Sequence, residues 1–368
     1  MYGSVAGGKP GDRSRTKERP IAMPRIHRVQ CSDPGFTRRR RGKGFSYLDG
    51  QGRPIHDADT LRRIKALAIP PAWSDVWICP DPWGHLQAAG TDAAGRRQYL
   101  YHARWREWRD RQKFQRMHDF AAALPRLRET VARDLALGGM PRERVLAAAV
   151  RLLDRGYFRI GSEEYADQNG SYGLATLRKE HVRIDGDEVW FDYLAKGGKR
   201  RVVSVRDAAI KDVMRPLKAR RNGGDELLAY DDGHGWRDVR SSDVNDYIKD
   251  IAGERFSAKD FRTWHATVLA AMALSTRADA SSLTARKRAM SAAIKEVAAY
   301  LGNTPTVARA PYVDPRILDR FLEGSTIARV LVGSPDDDAA FDPAAQAQLE
   351  AAVLDLVQGR PGEHAAAA

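Results

Sequence analysis

The sequence is poor in cysteine, lacks a long apolar stretch and is short of acidic residues relative to basic ones. Two cysteines in 368 residues, Cys31 and Cys79, stand outside any C-x-x-C spacing. That excludes a disulfide framework or a cysteine-rich zinc module and suits a reducing cytoplasm. The longest apolar run, around His265 to Leu274, falls far short of the ~20 residues a membrane helix requires. The N-terminus has no hydrophobic signal core, so the chain is expected to be soluble and to stay inside the cell. Also missing are G-x-x-x-x-G-K-[ST], H-E-x-x-H, a G-x-G-x-x-G between strand and helix, and EF-hand spacing. ATP and zinc therefore find no support, and the expected cofactor and metal sets are empty.

What is abundant is positive charge. Lys and Arg number 61 against 48 Asp and Glu, a net +13 with a pI near 9.8, which favours an anionic polymer as partner. The excess is concentrated at the start: residues 1–43 hold twelve basic side chains against Asp12, Glu18 and Asp33. With few apolar residues among them, they read as a basic, disordered arm.

The chain is long enough for two domains at ~150 residues each. From 44 to 101, short runs such as Phe45 to Leu48, Val76 to Cys79, Leu86 to Ala89 and Gln98 to Tyr101 are broken by turn residues, the pattern of antiparallel strands. Residues 102–323 turn helical. His102 to Ala122, Leu124 to Leu137, Pro141 to Arg155, Asp207 to Arg220, Ser241 to Ala252, Lys259 to Leu274 and Leu283 to Leu301 carry helical periodicity. A meander interrupts them, with Val182 to Ile184, Glu188 to Ala195 and Lys199 to Val205 alternating around Asp185-Gly186 and Gly197-Gly198. Residues 324–368 read as an acidic, Ala-rich and dispensable tail with a helix from Pro343 to Val357. The fold class is α+β: a small antiparallel β-rich domain and a mainly helical one carrying a three-stranded meander.

Three segments carry chemistry. Lys196 precedes the Gly197-Gly198 turn and so stands at a hairpin tip, with Lys199, Arg200 and Arg201 behind it. Tyr157-Phe158-Arg159-Ile160-Gly161 half-buries an arginine between helices, and Lys259-Asp260-Phe261-Arg262-Thr263 commits a second one at the start of an apolar helix. Two such arginines with a hairpin lysine suit a phosphate clamp, although each alone is satisfied as well by a structural salt bridge. Gly302 is placed to end a helix before Asn303-Thr304-Pro305, and Tyr312 follows Pro311 ahead of another helix.

In order along residues 44–323, these segments, with Pro70-Pro71-Ala72-Trp73, Gly95-Arg96-Arg97-Gln98-Tyr99-Leu100-Tyr101, Tyr165 and Gly173-Leu174-Ala175-Thr176-Leu177, resemble the type IB DNA topoisomerases, in particular the compact bacterial and poxviral branch. The resemblance implies a C-shaped clamp around duplex DNA that relaxes supercoils without ATP or a required metal. Tyr312 would be the nucleophile, forming a 3′-phosphotyrosyl link. Arg159 and Arg262 would hold the non-bridging oxygens, and Lys196 would protonate the leaving 5′-oxygen. Asn303 occupies a fifth position where poxviral members carry histidine. An amide there can donate a hydrogen bond but cannot become cationic. Gln98, Tyr99, Tyr101, Tyr165, Lys199 and Lys259 match DNA contacts, and a monomer at the nucleoid in the cytoplasm is implied.

The chemistry fits those roles. Fixed guanidiniums stabilise charge on equatorial phosphoryl oxygens without reorganising, and a lysine ammonium has a proton to give. Two rivals remain at this stage. A tyrosine recombinase shares the Arg, Lys, Arg, Tyr set but usually carries H-x-x-R where Lys259 leads to Arg262. An architectural DNA-binding protein would use the same arginines only to position phosphates.

Overall fold

A computed structural model describes residues 25–304, 312–327, 343–360 and 365–367, divided into two units, Met1–Arg111 and Gln112–Ala368. In the first unit β1 (Phe36–Arg41), β2 (Gly44–Leu48), β3 (Ser74–Ile78), β4 (Leu86–Thr91) and β5 (Arg97–Tyr101) form one antiparallel sheet in the order β2-β1-β3-β4-β5. Strand alternation builds a core on each face. Val76, Ile78 and Ala88 pack with Ile64 of helix α1 (Ala58–Ala66), while Trp77, Cys79, Leu86 and Ala89 pack against Val29 and Cys31. The helix starts where the Asp57 carboxylate accepts the Thr60 N–H at 2.8 Å.

The β-rich segment 44–101 also holds α1, which covers one sheet face. One sequence expectation changes here: the basic arm assigned to residues 1–43 is not wholly an arm, since Phe36–Arg41 is β1, hydrogen-bonded between β2 and β3. A run of four arginines reads as solvated, yet Arg38 donates to the carbonyls of Ile69, Pro70 and Trp73 at 3.2, 3.0 and 2.6 Å and lies 4.2 Å from the Phe45 ring centroid. Residues 1–24 lie outside the described set.

Helix α2 (Ala103–Leu135) runs through Pro125 without the break expected near residue 123. Proline removes one backbone bond there, and burial of Phe120, Leu124, Leu127 and Val131 keeps the helix continuous. Next come α3 (Arg142–Gly156), α4 (Glu163–Asn169), the antiparallel meander of β6 (Val182–Asp185), β7 (Glu188–Ala195) and β8 (Lys199–Arg206), and α5 (Ala208–Ala219). A hairpin of β9 (Ala229–Asp231) and β10 (Trp236–Asp238), which the sequence reading did not foresee, precedes α6 (Ser241–Ala252), α7 (Ala258–Ser275) and α8 (Leu283–Tyr300). Apolar around most of its circumference, α7 is buried along almost its whole length.

The tail is likewise not dispensable in structure. After the helix Pro315–Leu322, β11 (Ser325–Ile327) pairs with β12 (Ala365–Ala367), and the C-terminal helix Pro343–Gln358 buries Ala352, Val353, Leu356 and Val357 in the main core. Full burial of each larger side chain is worth roughly 1.5–3 kcal/mol. The acidic run Ser334 to Asp338 lies outside the described residues, as does the stretch 305–311. No helix among the described residues is long and apolar enough to cross a membrane.

Candidate active site

The site is organised around the C-terminal end of α3. Tyr157 ends that helix in the left-handed region, with φ +52°, a conformation costing roughly 1–2 kcal/mol for a residue with a side chain. It turns the Tyr157 carbonyl toward two guanidiniums: Arg262 Nη1 donates to it at 2.7 Å and Arg201 Nη2 at 3.3 Å. The chain then passes Arg159 and is braced from behind, because Leu174 and Ala175 donate their N–H groups to the Arg159 and Ile160 carbonyls, both at 2.8 Å. Gly161 and Gly173 make that approach possible. A Cβ on Gly173 would lie 2.5 Å from the Gly161 backbone, which accounts for the Gly173 to Leu177 motif.

Arg262, in the second turn of α7, is 4% exposed. Its other amino group donates to the Leu301 carbonyl at 2.8 Å, tying the end of α8 to the end of α3, and its guanidinium sits 5.6 Å from the Tyr312 ring centroid. Burial, and then the neighbouring charges of Arg159 and Arg201, bring its pKa down to about 10, with Tyr312 acting in the opposite direction. Arg159 Nη2 donates to the Asn303 Oδ1. The Asn303 Nδ2 is buried without a hydrogen-bond partner among the described residues, a donor left for a ligand.

Sequence reading missed Arg201. It looked like one of several solvated cations behind a hairpin tip. In the structure it bonds the carbonyls of Gly156, Tyr157 and Tyr300 at 3.2, 3.3 and 3.3 Å, and burial lowers its pKa. The signal was the strand period: Arg201 pairs across from Tyr193 and shares a β8 face with Val203 and Val205. None of Arg159, Arg201 and Arg262 is paired with a carboxylate among the described residues, so three guanidiniums converge with no protein anion between them.

Tyr312 is half-buried against the core. The Thr267 hydroxyl of α7 lies 3.4 Å from its carbonyl oxygen and accepts the Asp314 N–H at 3.1 Å. Asp314 in turn caps the Pro315 helix by accepting the Arg316 N–H at 3.0 Å. A second tyrosine, Tyr157, is unsuited to nucleophilic attack, since burial and then Asp154 push its phenol up to about 12.

Lys196 is exposed at the β7–β8 turn, where Gly197 and Gly198 take φ of +80° and +69°. It is not among the residues lining the adjoining pocket of about 650 Å³, which include Arg159, Lys199, Arg200, Arg201, Tyr300 and Asn303. Lys259 is exposed in the first turn of α7, and Tyr165 lies in α4 with its side chain outside the described set. In the first unit, alternation along β5 turns Tyr99 and Tyr101 outward, 46% and 39% exposed with ring centroids 6.2 Å apart, and Leu100 inward. Gln98 is half-buried and donates to Asp92 Oδ2 at 2.9 Å. A larger cavity of about 1040 Å³ beside α4 and β10 is lined by acids and arginines together, among them Glu226, Asp238 and Arg237, and includes none of the clustered groups. No group of three or more His, Cys, Asp or Glu among the described residues is placed to hold a metal ion.

Residues 102–321 match the family model for the eukaryotic DNA topoisomerase I catalytic core, and residues 44–92 match that for the bacterial DNA topoisomerase IB N-terminal domain. The chain belongs to the type IB DNA topoisomerases. It is 31% identical to the DNA topoisomerase 1B of Acanthamoeba polyphaga mimivirus over 287 residues, covering 76% of this chain and 85% of the viral one. Against the DNA topoisomerase 1B of Vaccinia virus the identity is 23% over 277 residues, 72% of this chain and 83% of the relative. A solved XerH site-specific recombinase bound to its palindromic difH substrate overlaps 54% of this topoisomerase and 49% of its own chain at 16% identity, with a TM-score of 0.34, too loose a match to bear on function. As a type IB topoisomerase the chain takes DNA as its substrate.

Proposed function

We propose that Tyr312 cleaves one strand of duplex DNA by attacking a phosphodiester, forming a 3′-phosphotyrosyl bond as the bond to the 5′-oxygen breaks. Arg159 and Arg262 hold the non-bridging oxygens, and Arg262, beside the Tyr312 ring, also stabilises negative charge developing on the phenol oxygen. Lys196 gives its proton to the departing 5′-oxygen, and Asn303 donates its free amide N–H to a phosphate oxygen. The 5′-hydroxyl then attacks the phosphotyrosine, the phenol leaves, and the strand is resealed after rotation has released supercoils. The bond energy is conserved throughout, so no nucleotide is consumed.

The observation that carries this reading is the convergence of Arg159, Arg262, Asn303 and Tyr312 with no carboxylate on either arginine among the described residues. A buried cation without a protein counter-charge is expensive unless an anion arrives. Phosphoryl transfer then gains from charges already in place. Exposed Tyr99 and Tyr101, with Gln98, Tyr165, Lys199 and Lys259, contact the duplex, and binding falls steeply with salt as phosphate counterions are released. The protein acts as a monomer, in the cytoplasm at the nucleoid.

The deciding experiment is incubation with negatively supercoiled plasmid in EDTA without ATP. Wild type should yield relaxed topoisomers and Tyr312→Phe none. Relaxation by the phenylalanine variant would remove Tyr312 as nucleophile, and binding without relaxation by wild type would leave only an architectural role.

A further inference from the structure

The proposed cleavage residues leave unused a line of buried charge that reaches them from the C-terminal helix. Arg128 of α2 donates Nε and Nη2 to Asp154 of α3 at 2.8 and 3.0 Å, and Nη1 and Nη2 to Glu350 at 2.7 and 2.8 Å. The Asp154 Oδ1 also receives His265 Nε2 of α7 at 3.1 Å. Asp154, His265 and Glu350 are 6%, 5% and 9% exposed. The carboxylate of Asp154 is held far below its usual range by His265 and Arg128, despite burial that opposes it. A buried ion network of this kind is no more stable than well-packed apolar side chains of the same volume. Stability alone therefore does not account for it.

Its far end offers a reason. The His265 ring meets the Tyr157 ring edge-on with centroids 5.1 Å apart, and Tyr157 is the residue in the left-handed region whose carbonyl receives Arg262 and Arg201. Contacts therefore run without interruption from Glu350 through Arg128, Asp154, His265 and Tyr157 to the guanidinium beside Tyr312. We propose that Glu350 is a positioning residue for DNA cleavage: through Arg128, Asp154 and His265 it fixes Tyr157, and thereby the orientation of Arg262. This rests on the role given to Arg262 above. Replacing the Glu350 carboxylate by an amide removes the charge opposite Arg128 and one of the two oxygens it donates to, which lets Arg128, Asp154 and His265 shift together and the Tyr157 carbonyl turn.

The test is single-turnover cleavage of a duplex oligonucleotide, with noncovalent affinity measured separately for each variant in a Tyr312→Phe background. Glu350→Gln should slow cleavage roughly tenfold, since a displacement near 1 Å costs up to about a hundredfold, while affinity stays within about twofold. Glu350→Asp, keeping charge but not reach, should fall between. Val353→Ala, which loosens the same helix without touching the network, should lower thermal stability and leave the cleavage rate unchanged. Wild-type cleavage by Glu350→Gln, or an equal loss in Val353→Ala, overturns the proposal. If Glu350→Gln does not fold, Glu350→Asp decides by the same criteria. A covalent adduct formed by Tyr312→Phe would instead overturn the cleavage reading itself.

Discussion

Arg262 and Lys196 are both cations of the proposed reaction, built into opposite surroundings. Arg262 is buried in a helix and anchored to the carbonyls of Tyr157 and Leu301, whereas Lys196 stands exposed where two glycines turn a hairpin. The contrast follows from what each is asked to do. A group that stabilises charge works best when its position is fixed beforehand. A group that must reach a departing oxygen is better carried on a long, flexible stem at an exposed turn.

That contrast can be broken experimentally. Arg262→Ala should have the largest effect, slowing cleavage by about 10³-fold or more. Arg262→Lys should restore little, because an ammonium cannot reproduce a fork that spans two carbonyls. Lys196→Ala should slow cleavage about 10²-fold, yet recover when the leaving 5′-oxygen is replaced by sulfur, which departs without a proton. An equal defect on both substrates would remove the general-acid role and with it the comparison. Asn303→Ala should cost on the order of 2 to 4 kcal/mol of transition-state stabilisation through one lost donor, with Asn303→His tolerated. Unchanged single-turnover rates for the alanine variant would make Asn303 a bystander. The smallest effect expected is on stability. Gly302 has φ +61° and a Cβ there would lie 2.7 Å from Arg201 Nη1, so Gly302→Ala should lose about 1 kcal/mol in urea unfolding.

The sequence carried some of these features and hid others for physical reasons. Arg159, Arg262, Asn303 and Tyr312 each sit in a short motif, so their types and order were legible without coordinates. The meander was legible too, because Asp185-Gly186 and Gly197-Gly198 are turns that only a few geometries accept. Arg201 was hidden by its neighbours Lys199 and Arg200, since a basic run looks solvated until strand alternation selects one member for the interior. β1 was hidden in the same way: the partners that make Arg38 structural are backbone carbonyls from Ile69 to Trp73, and every residue type has a carbonyl. The C-terminal helix showed only the spacing of Val353, Leu356 and Val357 within an alanine-rich segment. Nothing local could say that Glu350 meets Arg128, a partner 222 positions earlier.

That long reach matters for how the molecule is made. Translation supplies Arg128 and Asp154 long before Glu350, Val353 and Leu356, so the ion network and the part of the apolar core that the later helix fills stay open until those residues have left the ribosome. Order of synthesis thus makes the packing of the second unit wait on residues 350–357, whatever has already folded ahead of them.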